Sequence, residues 1–213
     1  MRGQIEAVAA KLSEEKVIAV VRIESADGIF DVVRALKAGG IVCIEITMTV
    51  PGASRIIEQL TADEPDLVVG AGTVLTRADA EKCLAAGATF LMSPICDPNV
   101  IRCGHDHGAA VLPGALTPTE IASAWSCGAD FVKVFPASRM GHTYISELQG
   151  PLPQIPLVPT GGITDANAAQ YLRAGAAAVC TGSWLVSQAG VSAGEYELIR
   201  DRARKIVAAV AGV

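Results

Sequence analysis

Two charged side chains sit in stretches of sequence that otherwise hold almost no charge. Lys133 lies inside Phe131-Val132-Lys133-Val134-Phe135, and Glu45 inside Ile41-Val42-Cys43-Ile44-Glu45-Ile46-Thr47. Both stretches read as β-strands, whose side chains alternate between faces. Lys133 therefore shares a face with Phe131 and Phe135, and Glu45 with Cys43 and Thr47. An ammonium among Phe rings is desolvated, which favours the neutral amine, a nucleophile toward a carbonyl. A carboxylate facing it can move protons at the carbon next to the resulting imine. The structural alternatives are a lysine that snorkels from an edge strand and a buried ion pair, which is seldom a net gain in stability. Two such residues, both predicted to point inward, favour chemistry.

Other catalytic constellations fit less well. The histidines are His105, His107 and His142; the first two are two residues apart, diverge on a helix, and with His142 read as solvated surface side chains. The six cysteines (Cys43, Cys83, Cys96, Cys103, Cys127, Cys180) show neither zinc spacing nor a C-x-x-C pair. No metal site is expected, and reduced thiols in a cytoplasmic protein fit best. No G-x-S-x-G nucleophile elbow is present. Thr160-Gly161-Gly162 and Thr181-Gly182-Ser183 follow the last two strand-like runs, where a barrel binds phosphate through loop amides. Glycines there are equally explained as turn residues.

Holding these residues in place needs a repeating scaffold. Apolar runs read as eight strands: Val17–Ile23, Ile41–Thr47, Leu67–Gly72, Thr89–Ser93, Ala109–Pro113, Phe131–Phe135, Leu157–Thr160 and Ala178–Thr181. Helices between them end in Ala38-Gly39, Ala86-Gly87, His107-Gly108, Cys127-Gly128 and Ala174-Gly175, each glycine suiting the left-handed position past a helix C-terminus. Thr117-Pro118-Thr119-Glu120 reads as a capping box, with Thr76, Asp97 and Thr164 to Asn167 as further helix starts. Strands apolar almost throughout, alternating with helices, imply parallel pairing covered on both faces. The expected fold is α/β, a (β/α)8 TIM barrel with Met1–Lys16 as an extra leading helix, in one domain over residues 1–213. An open doubly wound sheet is the runner-up, weakened by the lack of G-x-G-x-x-G after the first strand. Lys133 and Glu45 fall on strands six and two, both even, and so in shared interior layers of a barrel.

Composition bounds the partners. The 213 residues are 51% hydrophobic and 18% charged, below the roughly 25% charged share of soluble domains, which leaves apolar surface for subunit contacts. A net charge of −5 and no Lys/Arg run give no nucleic-acid footprint. No apolar stretch reaches the ~18 residues of a membrane span, and the N-terminus has no signal-peptide core.

Several longer motifs run from about Val17 to Leu185. They are Gly39-Gly40 through Glu45-Ile46-Thr47, Gly70-Ala71-Gly72-Thr73-Val74, Ser93-Pro94, Pro113-Gly114, Lys133-Val134-Phe135-Pro136, Pro159-Thr160-Gly161-Gly162-Ile163 and Gly182-Ser183-Trp184-Leu185. In these the chain resembles the 2-keto-3-deoxy-6-phosphogluconate (KDPG) aldolase family, including members that also cleave 4-hydroxy-2-oxoglutarate (KHG). The resemblance implies a class I aldolase on a (β/α)8 barrel, a homotrimer, with no metal or other cofactor. It implies that Lys133 forms the Schiff base and that Glu45 is the general acid/base, acting through a water. Thr73 and Thr160 would line the pyruvyl pocket, with Pro94 and Phe135 packed around it. Gly161, Gly162, Gly182 and Ser183 would hold the phosphate. The implied reaction splits KDPG into pyruvate and glyceraldehyde 3-phosphate. The 6-phosphogalactonate epimer, KHG, and a non-catalytic phosphosugar-binding barrel are the alternatives. One position departs: many members carry Arg where this chain has Thr49. Arg22, at the end of the first strand in Val20-Val21-Arg22-Ile23, is then the candidate for the substrate carboxylate, through a forked two-bond contact. Its alternative role is to pair with Glu45.

Overall fold

Nine short strands form from the apolar runs in a computed structural model that describes all residues from Met1 to Val213. They are β1 (Val17–Val21), β2 (Cys43–Thr47), β3 (Val68–Gly72), β4 (Phe90–Met92), β5 (Ala110–Leu112), β6 (Gly114–Ala115), β7 (Val132–Val134), β8 (Leu157–Pro159) and β9 (Val179–Thr181). The helices are α1 (Arg2–Glu15), α2 (Ile29–Ala38), α3 (Ala53–Asp63), α4 (Arg77–Ala85), α5 (Pro98–Asp106), α6 (Pro118–Ser126), α7 (Gly141–Gln149), α8 (Ala168–Arg173), α9 (Gln188–Ser192) and α10 (Tyr196–Val210).

Every strand pair is parallel, as helical crossovers require. One sheet runs β5-β4-β3-β2-β1-β9 and a second runs β6-β7-β8. Neighbours follow chain order without the reversal of a doubly wound sheet, which sets that alternative aside. The fifth expected strand, Ala109–Pro113, ends at Leu112, and the chain resumes as β6 beyond Pro113, which has no N–H for the ladder. Its carbonyl still accepts from the Lys133 N–H at 2.9 Å. Between β8 and the β9 region, single parallel bridges join Leu157 to Ala176 and Thr160 to Cys180.

Strand alternation sorts side chains into two cores. A cluster of 53 buried residues fills the space between strands and helices, and takes Ile44 and Ile46 from β2. A second cluster of 12 lies on the other strand face, with Cys43, Phe90, Phe131, Val158 and Ala178 among its members. Leu12, the sole buried residue of α1, joins that inner cluster.

Local signals hold with specific exceptions. Thr117 and Glu120 form the capping box, and Asp97 and Thr76 cap α5 and α4. Of Thr164 to Asn167, it is Asn167 that stands at the N-cap of α8, without a side-chain capping bond, while the Thr164 hydroxyl accepts from Ala166 N–H at 3.2 Å in the turn before it. The left-handed position after α2 falls on Gly40 (φ 92°) rather than Gly39. Gly39 is required instead by close packing, since a Cβ there would overlap Ala203 of α10. His105 is not a free surface side chain. Its Nε2 lies 3.0 Å from Asp130 Oδ2, an oxygen that also accepts the Val111 N–H at 2.8 Å, so the ring helps seat α5 on β5. His142 is half-buried, edge-on to Tyr171, and the surface reading holds for His107.

Candidate active site

Glu45 projects from β2 to the inner face and is fully buried. The neighbouring strand makes room for it. A methyl group at Gly72 would overlap the Glu45 carboxyl, and one at Gly70 would overlap the Phe90 ring. Glycines two apart on one strand mark the close approach of another group, a signal the sequence carried and the motif reading did not convert into a site residue. Neither Glu45 oxygen has a hydrogen-bond partner. Burial pushes this carboxyl above its ordinary range, while the positive charges of Lys133 and Arg22 pull the other way.

Lys133, also buried, comes from β7, whose backbone is pinned to Gly114 on one side and Val158 on the other. Its Nζ sits 5.4 Å from the centroid of the Phe135 ring, within cation–π range. Lys133 opens onto a cavity of about 250 Å³ that Arg22, Phe135, Thr160, Gly161, Gly162, Gly182 and Ser183 also line. Trp184, Ile163, Val186 and Val20 supply its apolar walls; the sequence motifs contain Trp184 and Ile163 without marking them as wall residues.

Arg22 is one residue beyond β1, not within it, and is exposed on the rim. Its Nη2 donates to Thr73 Oγ1 at 3.1 Å, and it makes no hydrogen bond to Glu45. Thr73 holds φ at 58°, a rare conformation for a β-branched residue, and such outliers gather at functional sites. Thr49 stays out of the cavity: it is exposed, with its hydroxyl 2.8 Å from that of buried Thr47.

The two glycine loops differ in backbone conformation. Gly161 and Gly162 both have positive φ, at 102° and 73°, which glycine alone adopts readily. Gly182 has an ordinary backbone and lines the cavity, and a Cβ there would make only ordinary contact with Val20. Thr181 Oγ1 donates to the Ile163 carbonyl at 3.0 Å and ties the two loops together.

Three expected members stand apart from the cavity. Glu45 is buried without lining it, and Thr73 connects to it through Arg22. Pro94 lines a separate cavity of about 490 Å³, and Phe135 lines both. Pro94 is diverted because its backbone packs against Gly114, where a Cβ would overlap it. No group of three or more His, Cys, Asp or Glu side chains is placed to hold a metal ion. No helix is long and apolar enough to cross a membrane. A buried amine lining a polar-rimmed cavity and a buried, unpartnered carboxyl that feels its charge are equipped for carbonyl addition with proton transfer.

Comparison with known proteins gives the same direction. A family model described as KDPG and KHG aldolase matches residues 8–201. The chain is 37% identical to 2-dehydro-3-deoxy-phosphogluconate aldolase of Treponema pallidum, over 88% of this chain and 90% of that protein. It is 36% identical to a probable 2-dehydro-3-deoxy-6-phosphogalactonate aldolase of Rhizobium meliloti, over 92% of each. Among solved structures it is similar to KDPG aldolase from Legionella pneumophila with pyruvate captured as a covalent carbinolamine intermediate. The TM-score is 0.85 at 31% identity, over 93% of this chain and 97% of that one.

Proposed function

The chain belongs to the KDPG and KHG aldolase family, and from that premise we propose that it is a class I aldolase splitting KDPG into pyruvate and glyceraldehyde 3-phosphate, and also acting on KHG. The observation that carries this reading is the buried Lys133 amine on the cavity floor, with the unpartnered Glu45 carboxyl buried nearby.

Lys133 Nζ attacks the substrate C2 carbonyl to give a carbinolamine, and loss of water gives the imine. The imine draws in the electron pair as the C3–C4 bond breaks, while the C4 hydroxyl loses its proton and leaves as an aldehyde. The enamine then takes a proton at C3, and water releases pyruvate and the free amine. Glu45 carries the protons. A carboxyl held above its usual range keeps a proton closer to neutral pH and so both gives and accepts one. Arg22, oriented by Thr73, meets the substrate carboxylate, which is otherwise costly to desolvate. Thr160 and Phe135 flank the pyruvyl part, and Gly161, Gly162, Gly182 and Ser183 receive the phosphate.

In this reading the two sheets act as one closed (β/α)8 barrel forming a single domain over residues 1–213. The continuity through Pro113 and the bridges at Leu157 and Thr160 support it. Similarity to a symmetric oligomeric domain of a designed protein cage (31% identity, TM-score 0.83) supports a homotrimer, and six free thiols a cytoplasmic setting. The test is a comparison of kcat/KM for KDPG, its 6-phosphogalactonate epimer and KHG. KDPG is expected to be turned over best. Preference for the epimer reassigns the substrate, and turnover of none of the three leaves a phosphosugar-binding barrel.

A further inference from the structure

Arg202 is one of three arginines close together on α10, and it differs from the other two. Arg200 and Arg204 both reach Asp201, at 3.0 and 4.0 Å. Arg202 instead lies over the indole of Trp184, its guanidinium carbon 5.8 Å from the ring centroid. Trp184 is half-buried, follows directly on Gly182 and Ser183, and lines the cavity that holds Lys133. The next two residues are fixed: Leu185 and Val186 are buried, and their N–H groups both donate to the Gly182 carbonyl, at 2.8 and 2.9 Å. The indole is thus held by the buried chain that follows it and by one cation on its face.

We propose that Arg202 is a positioning residue for the phosphate end of the site, holding Trp184 as the wall against which the Gly182-Ser183 loop is set. A guanidinium is suited to this task because it is planar, always charged and stacks on aromatic faces. It acts through Trp184 and reaches no substrate atom. The inference rests on the phosphate reading of the two glycine loops. If that reading holds, loss of Arg202 loosens one side of the phosphate subsite and leaves the amine and carboxyl untouched.

The experiment compares Arg202→Met and Arg202→Lys, each in the native chain and in a Trp184→Leu background, with KDPG and KHG as substrates. In the native chain Arg202→Met should raise KM for KDPG by roughly two- to fivefold, the factor a partly exposed cation–π contact supports. KM for KHG and kcat should move much less, and Arg202→Lys should recover part of the loss. In the Trp184→Leu background Arg202→Met should cost nothing more. With Trp125 replaced by Phe, Trp184 is the single tryptophan; its emission should change when inorganic phosphate is added and should shift in Arg202→Met. Equal KM increases for both substrates, no increase for KDPG, or an undiminished effect without Trp184 overturns the proposal. Inorganic phosphate separates the two levels. If it fails to compete with KDPG in the native chain, the phosphate reading and the proposal fall together. If it competes equally well in the native chain and in Arg202→Met, only the role of Arg202 falls.

Discussion

The two ends of the strand interior are built on opposite terms. At one end Leu12, Cys43, Phe90, Phe131, Val158 and Ala178 fill the space with apolar side chains. At the other, Glu45, Thr47, Lys133 and Thr160 are buried polar groups, and Lys133 and Thr160 line a cavity. One step of the two-residue strand repeat separates them: Cys43 from Glu45 on β2, and Phe131 from Lys133 on β7. Each of the larger side chains at the closed end (Leu12, Phe90, Phe131 and Val158) contributes about 1.5–3 kcal/mol by its burial. An unpaired buried carboxyl at the other end costs stability of similar size or more. Packing at the closed end therefore offsets the cost of burying a carboxyl and an amine at the open end. Changes at the two ends should separate stability from activity.

The largest effect belongs to Glu45. Glu45→Gln should slow turnover by roughly 10²–10⁴-fold, the range for a positioned acid/base, while imine formation stays measurable. Its effect on stability has the opposite sign. Because burial raises the folded-state carboxyl above its ordinary value of 4.5, the native chain gains stability from this group at acid pH and loses it as pH rises from 4.5 through the raised value. Glu45→Gln removes that loss, so its advantage in Tm over the native chain should widen as pH increases. A constant Tm difference across pH would mean that Glu45 is not held protonated in the fold.

At the closed end, Leu12→Ala should lower stability by about 2–5 kcal/mol, the cost of a buried leucine truncation. Below the transition, kcat should be unchanged. Denaturant titration and steady-state kinetics on the same preparation read both. A proportionate fall in kcat would show that the two ends are coupled and not divided as described.

On the rim the effect is smaller. Arg22→Lys should weaken pyruvate binding by about 1.5–3 kcal/mol, the scale of a charged hydrogen bond, without moving the pH profile set by Glu45. If pyruvate affinity holds and the pH profile shifts, Arg22 tunes the carboxyl instead of binding substrate.

The open end was the more legible of the two. A charge in an apolar strand has a face fixed by period two, so Glu45 and Lys133 could be placed on the interior from sequence, and both are buried there. The closed end was less visible, because α1 contributes one buried residue, Leu12, and nothing in its spacing shows where that residue docks. What escaped at the site depends on close approach between strands. Gly72 matters through the carboxyl it leaves room for, and Pro94 is diverted by its contact with Gly114. The hydrogen bond from Arg22 to Thr73 joins residues 51 apart in the chain, which local spacing does not reveal. The split at Pro113 was readable in principle from proline's missing donor, but a single proline at the end of an apolar run looks like an ordinary strand end.

Lys133 is expected to form a covalent bond with the substrate carbonyl. Incubating the protein with pyruvate and borohydride, then measuring intact mass and mapping the modified peptide, tests it most directly. One reduced pyruvyl group on Lys133, absent from a Lys133→Met variant, is the predicted result. An unchanged mass, or a label carried by a different lysine, would rule out covalent chemistry at Lys133.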